Sequence, residues 1–194
     1  LHYDPSGEDG NPPPKEDFVL DIYYVIVLRI VHIFSGVFWA GGTFFLVGAI
    51  TPAVRFAGPD GAKFMQHVAR QGRMSRIQAT AAGLTVLAGL LLYWRTSGHL
   101  NGAWITSGPG LALTIGGAAG IIAAAYASIA VGGTSSRMGR VAQAVHDSGG
   151  PPTPEQMAQL QQLGARMGTA GMITAALLVI ALLGMSISQY LIGF

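Results

Sequence analysis

The sequence predicts an all-α integral membrane protein: a bundle of four transmembrane helices with two helical extensions into the cytoplasm. Three observations carry that prediction. Of 194 residues, 51% are hydrophobic and only 10% are charged, whereas a soluble domain carries about 25% charged residues. The charges are clustered, so that 30–54, 77–94, 96–136 and 167–194 contain no Asp, Glu, Lys or Arg. A bilayer core of about 30 Å takes roughly 20 helical residues, and each of these runs can hold one span.

The elements follow in order. Residues 1–17, "LHYDPSGEDGNPPPKED", are rich in Pro, Gly and acid and predict an extended, solvated outer tail. The rest, 18–194, reads as one membrane domain with spans at about 30–50, 77–94, 111–131 and 169–192. The first helix begins near Phe18 and is expected to stop at Pro52, with the turns before Arg29 outside the hydrocarbon. "GPDG" at 58–61 is a turn, and 61–75 read as a short basic helix at the surface. The third helix is expected to continue past Arg137 and Arg140 to about Asp147, where "SGGPP" breaks it. Thr153, Pro154 and Gln156 then form a helix start: an N-cap, a first-turn proline and the far half of a capping box.

Basic residues give the orientation. Arg55, Lys63, Arg70, Arg73 and Arg76 separate spans one and two, and Arg137, Arg140 and Arg166 separate three and four. The positive-inside rule places both connections in the cytoplasm. Both termini and the 96–110 loop then face outward, from the inner (plasma) membrane. Tyr23, Tyr24, Tyr93, Trp94 and Tyr190 fall at the outer boundary, where an interfacial aromatic belt belongs.

The 28 glycines suit membrane helices, where small residues let backbones approach closely. Ala112, Gly116, Gly120, Ala124, Ser128 and Gly132 recur every four residues on span three. Ala81, Thr85 and Gly89 do so on span two, and Gly36 and Ala40 begin such a stripe on span one. These predict packing within the bundle or against lipid-embedded partners, either other membrane subunits or further copies of the chain.

Several chemistries are excluded. There is no cysteine, so thiolate metal sites, iron–sulfur clusters and a thiol nucleophile are absent. No basic patch is interleaved with aromatics, which argues against nucleic acid. The spans hold no Asp, Glu or Lys to relay protons. No catalytic constellation is evident.

His32 is the residue that raises a functional question. Ionisable groups within spans are costly and often functional, and neutral imidazole is a good ligand for haem iron or copper. Arg29, His32 and Trp39 share roughly one helix face. Arg29 and Arg95 lie at the outer interface, where they can pair with haem propionates. Met185 on span four and His99 in the outer loop are the candidate second axial ligands. Equally, His32 lies one turn below Arg29, where it can hydrogen-bond a headgroup, Ser35 or a neighbouring carbonyl. His67 and His146, both on the cytoplasmic side, are a weaker metal pair.

Span one, "LRIVHIFSGVFWAGGTFFLVGAITPAVR", resembles the first helix of the copper resistance protein D-like membrane proteins. The haem-binding protoporphyrinogen oxidase of bacteria is a relative of that group. The resemblance rests on His32, Trp39 seven residues on, small residues after it, and Pro52 at the inner end. "GLLLYWR" closing span two is similar to an uncharacterised branch. The resemblance implies a four-span layout with a haem b or copper function. The oxidase branch has a lysine in a later membrane helix, whereas the lysines here are Lys15 and Lys63. Three functions follow as expectations: a redox-associated or accessory protein binding one b-type haem near the outer face, a non-catalytic structural subunit of a larger membrane complex, or copper handling.

Overall fold

The computed structural model describes residues 15–58, 60, 61, 64 and 73–191. Four helices among these residues are long and apolar enough to cross a membrane. Helix α1 (Lys15–Phe45) runs through a π turn (Leu46–Ile50) directly into α2 (Thr51–Phe56). Helix α3 (Arg73–Thr96) is followed by a turn and the short α4 (Gly102–Ile105). Helix α5 (Gly108–Asp147) and α6 (Pro154–Ile187) complete the fold, with a last 3-10 turn at Ser188–Tyr190. The acidic tail and the basic 61–75 segment, with Lys63, His67 and Arg70, lie largely outside the described residues.

Pro52 does not stop the first helix. Proline has no N–H to donate, and its ring crowds the carbonyl four residues back. The backbone widens instead: the Thr51 N–H reaches the Leu46 carbonyl, and the Thr51 hydroxyl donates to the same oxygen at 2.8 Å. One π turn thus carries the rod past proline.

The other boundaries are set by side chains. Asn101 caps α4 by accepting from the N–H groups of Ala103 and Trp104, and Ser107 caps α5 by accepting from Gly110. Helix α5 is continuous for 40 residues, about 60 Å at the usual rise. Thr153 and Gln156 close a reciprocal capping box at the start of α6, satisfying two donors that the first turn leaves free.

The helices associate as two antiparallel pairs, α1 with α3 and α5 with α6, and the contacts between pairs are fewer. In the first pair the register is constant: Asp21 meets Arg95, His32 meets Thr85 and Gly89, and Gly42 meets Gln78. In the second, a Cβ on Gly116 would stand 3.0 Å from the Ala181 carbonyl oxygen, and one on Gly184 would stand 2.9 Å from Gly116 Cα. The pairs meet at a core of Trp39, Ala40, Ala81, Ala123 and Leu178. Tyr93 Oη also lies 2.6 Å from Thr114 Oγ1, joining α3 to α5.

The buried small residues of α5 are Gly110, Ala112, Gly116, Ala119 and Ala123. Gly120 and Ala124 are half-buried beside them, while Ser128 and Gly132 of the four-residue repeat are exposed. Four residues turn an α-helix by about 40° more than one revolution, so a strict four-residue repeat drifts off a straight seam. Outside the seams, Phe34, Val37, Leu87, Ile129 and Leu183 are each more than half exposed. The molecule therefore presents a broad apolar exterior.

Candidate functional site

His32 projects from α1 into the seam with α3. Its Nδ1 lies 2.8 Å from the backbone carbonyl oxygen of Thr85. A carbonyl only accepts, so Nδ1 carries the hydrogen; in the neutral tautomer with that hydrogen, the lone pair is on Nε2. The ring fits because residue 89 is glycine: a Cβ there would stand 2.8 Å from His32 Cε1 and 3.0 Å from Nδ1.

Two hydroxyls extend this polar contact. Thr85 Oγ1 donates to Ser35 Oγ at 2.9 Å, and Ser35 Oγ donates to the Val31 carbonyl at 2.5 Å. Thr85 Oγ1 also lies 2.7 Å from the Ala81 carbonyl, an alternative use of its one hydrogen. Gly36 sits against the Thr85 methyl, with a Cβ position 3.4 Å away. His32, Ser35 and Thr85 thus tie α1 to α3 by hydrogen bonds that need no water.

The register places this cluster deeper than the position of Arg29 suggests. Thr85 is central in the uncharged run 77–94, about 12 Å from either end by helical rise. The same register shows at the end of the pair, where Arg95 Nε and Nη2 donate to the two Asp21 carboxylate oxygens at 3.0 and 2.5 Å. Asp21, eleven residues before His32, is therefore level with the end of α3.

The other candidates are dispersed. Arg95 is engaged by Asp21. Arg29 is exposed and makes no hydrogen bond or ion pair within the described residues. His99 has a positive φ of 61° in the turn after α3, where its exposed ring packs edge-on to Trp94 at 5.5 Å. It lies past Arg95, so about 15 Å of helical rise separates it from the level of Thr85. A histidine nitrogen stands about 2 Å from a metal such as zinc, so this separation keeps His99 and His32 from one ion. Met185 belongs to the α5–α6 seam, its backbone N 3.1 Å from a Cβ position on Gly116; it makes no hydrogen bond with His32. His146 is exposed near the end of α5, and His67 is outside the described residues. Among the described residues no three His, Asp or Glu side chains are grouped to hold a metal.

Several residues of this arrangement escape sequence reasoning. Thr85 and Gly89 are visible in the sequence as a small-residue stripe, but not as the partners of His32. Gly184 lies in none of the small-residue stripes named on spans one to three, and Asp21 reads as one acid among six before the first span. A Gln78 Oε1 buried against Gly42, without a hydrogen-bond partner among the described residues, adds a polar atom at the other end of the α1–α3 seam. The chain matches no protein-family model, and comparison with curated proteins and with solved structures gave no match.

Proposed function

We propose that the chain is a four-span protein of the plasma membrane that acts as a non-catalytic accessory subunit. Its termini and the 96–110 segment face outward, and its partners are other membrane helices or further copies of itself. The observation that carries this reading is the way His32 is used. A polar ring in an apolar helix must find a partner, and this one bonds the backbone of the adjacent helix, as interhelical polar glue does. The broad apolar exterior supplies surface for lipid and for partner helices.

Three measurements test it. The protein should stay in membranes through an alkaline wash, and protease added to intact cells should cut within 96–110. Native electrophoresis in mild detergent should then show a complex heavier than one chain. A monomer that runs alone at every detergent ratio would remove the subunit reading.

One observation favours a second, redox reading. A ligating histidine commonly donates its other ring N–H to a carbonyl, which fixes the tautomer, and His32 Nδ1 meets Thr85 in that way. Nε2 is then the atom that would bind a haem iron or copper. With Arg95 held by Asp21, a site on Nε2 has His32 as its identified protein donor. A Soret band in the purified protein, lost in His32→Ala, would establish it. A protein without such a band after haem supplementation, and without copper after copper loading, leaves the structural role.

A further inference from the structure

A groove of about 440 Å³ opens between α5 and α6 at the end of the pair opposite the Asp21–Arg95 contact. Its walls carry Tyr126, Ala130 and Thr134 from α5 and Gln162, Ala165 and Arg166 from α6. Most hydroxyls on these helices donate to their own backbone; Thr114, Ser128, Ser136, Thr169 and Thr174 all do. Tyr126, Thr134, Gln162 and Arg166 differ. None of the four side chains makes a hydrogen bond or ion pair within the described residues. Four polar groups without a partner among the described residues, one of them a full positive charge, therefore line a groove completed by three alanines and by Thr169, whose hydroxyl is spent on its own helix.

The depth is informative. Arg166 and Arg137 bound the uncharged runs 167–194 and 96–136, so the groove straddles the inner edge of spans three and four. Tyr126 lies on the apolar side of that edge and Thr134 about 12 Å further along α5. The nearest acids along these helices, Asp147 and Glu155, are 13 and 11 residues from Thr134 and Arg166, beyond about 16 Å of rise. Asp147 already accepts from Gln143 at 2.8 Å.

We propose that this groove binds one anionic phospholipid of the inner leaflet. The Arg166 guanidinium takes the phosphate, Thr134 and Gln162 add hydrogen bonds at the headgroup, and an acyl chain lies along Ala130 and Ala170 toward Tyr126. Charge complementarity selects the occupant: a planar guanidinium without a carboxylate partner among the described residues suits phosphate oxygens. The cytoplasmic leaflet supplies anionic lipid at that depth. The proposal rests on the membrane reading above.

The test is native mass spectrometry of the full chain, purified in mild detergent and offered phosphatidylglycerol or phosphatidylcholine in equal amounts. The wild type should retain one phosphatidylglycerol in preference. Arg166→Gln should weaken that retention by about tenfold, the scale of one charge-assisted contact. Arg166→Lys should keep part of it, Thr134→Val should lose less, and Arg29→Gln at the far end should change nothing. Equal retention of the two lipids, or an Arg166→Gln variant that binds like wild type, overturns the lipid site while leaving the membrane reading intact. A chain released from membranes by alkaline wash overturns both.

Discussion

The two helix pairs achieve close contact by different chemistry. In α1–α3 the backbones are bridged by side chains: His32 on the Thr85 carbonyl, Thr85 on Ser35, and Arg95 on Asp21. In α5–α6 the backbones themselves touch, with Gly184 against Ala112 and Gly116. Polar bridges between membrane helices contribute little on average, about 0.6 kcal/mol each, because the separated helices find other partners. Backbone contact gains dispersion over many atoms, each of them small. The glycine seam is therefore the rigid half, and the polar seam is the half that can be rearranged.

The largest effect should come from blocking the glycine seam. In Gly184→Ala the new Cβ would stand 2.8 Å from the Ala112 carbonyl oxygen and 2.9 Å from Gly116 Cα. Those are backbone atoms of a helix and cannot step aside, so the helices must separate, at a cost of about 2–3 kcal/mol. Unfolding in mixed micelles by added SDS reads this directly. A Gly184→Ala variant as stable as wild type would mean that the two pairs do not differ in rigidity.

The same substitution on the polar seam should cost less and be reversible. A Cβ at Gly89 meets His32 Cε1 at 2.8 Å, but that atom ends a side chain that can swing. Gly89→Ala should lose the His32–Thr85 bond and about 1 kcal/mol. In a His32→Ala background the added methyl should be neutral or stabilising, since alanine is the better helix former. A double-mutant cycle measures the reversal. Additive effects would show that His32 and Gly89 do not share the space the structure gives them.

These contrasts also mark what the sequence made legible. The four long apolar helices, the extension of α5 to Asp147 and the Thr153–Gln156 capping box follow from charge spacing and local chemistry, which a sequence displays. The path through Pro52 does not, because proline predicts a disturbed hydrogen bond and leaves open whether the chain turns or widens. The α5 stripe is legible at Ala112 and Gly116, then the true helical pitch carries burial to Ala119 and Ala123. The partner of His32 is hidden for another reason. It is a backbone carbonyl, which every residue has, so only the register of α1 against α3 can assign it. That register shows in the contact between Asp21 and Arg95, 74 positions apart.

That ion pair gives the smallest expected effect and the sharpest check on register. Both side chains are about two-fifths exposed, at 41% and 40%, so water and salt screen them and the pair contributes less than about 1 kcal/mol. Arg95→Gln should lower stability by that amount at low salt, and the difference from wild type should shrink at 1 M salt, where the Debye length is about 3 Å. If the pair only reports the register, cysteines placed at 32 and 89 should cross-link equally well in wild type and in Arg95→Gln. If it sets the register, cross-linking at that pair should fall in the variant and rise at positions one helical turn away. A loss above about 2 kcal/mol that persists at high salt would contradict both outcomes, since it would require a desolvated pair. The two hairpins would then both be held by buried contacts, and the contrast between them would fail at its weakest point.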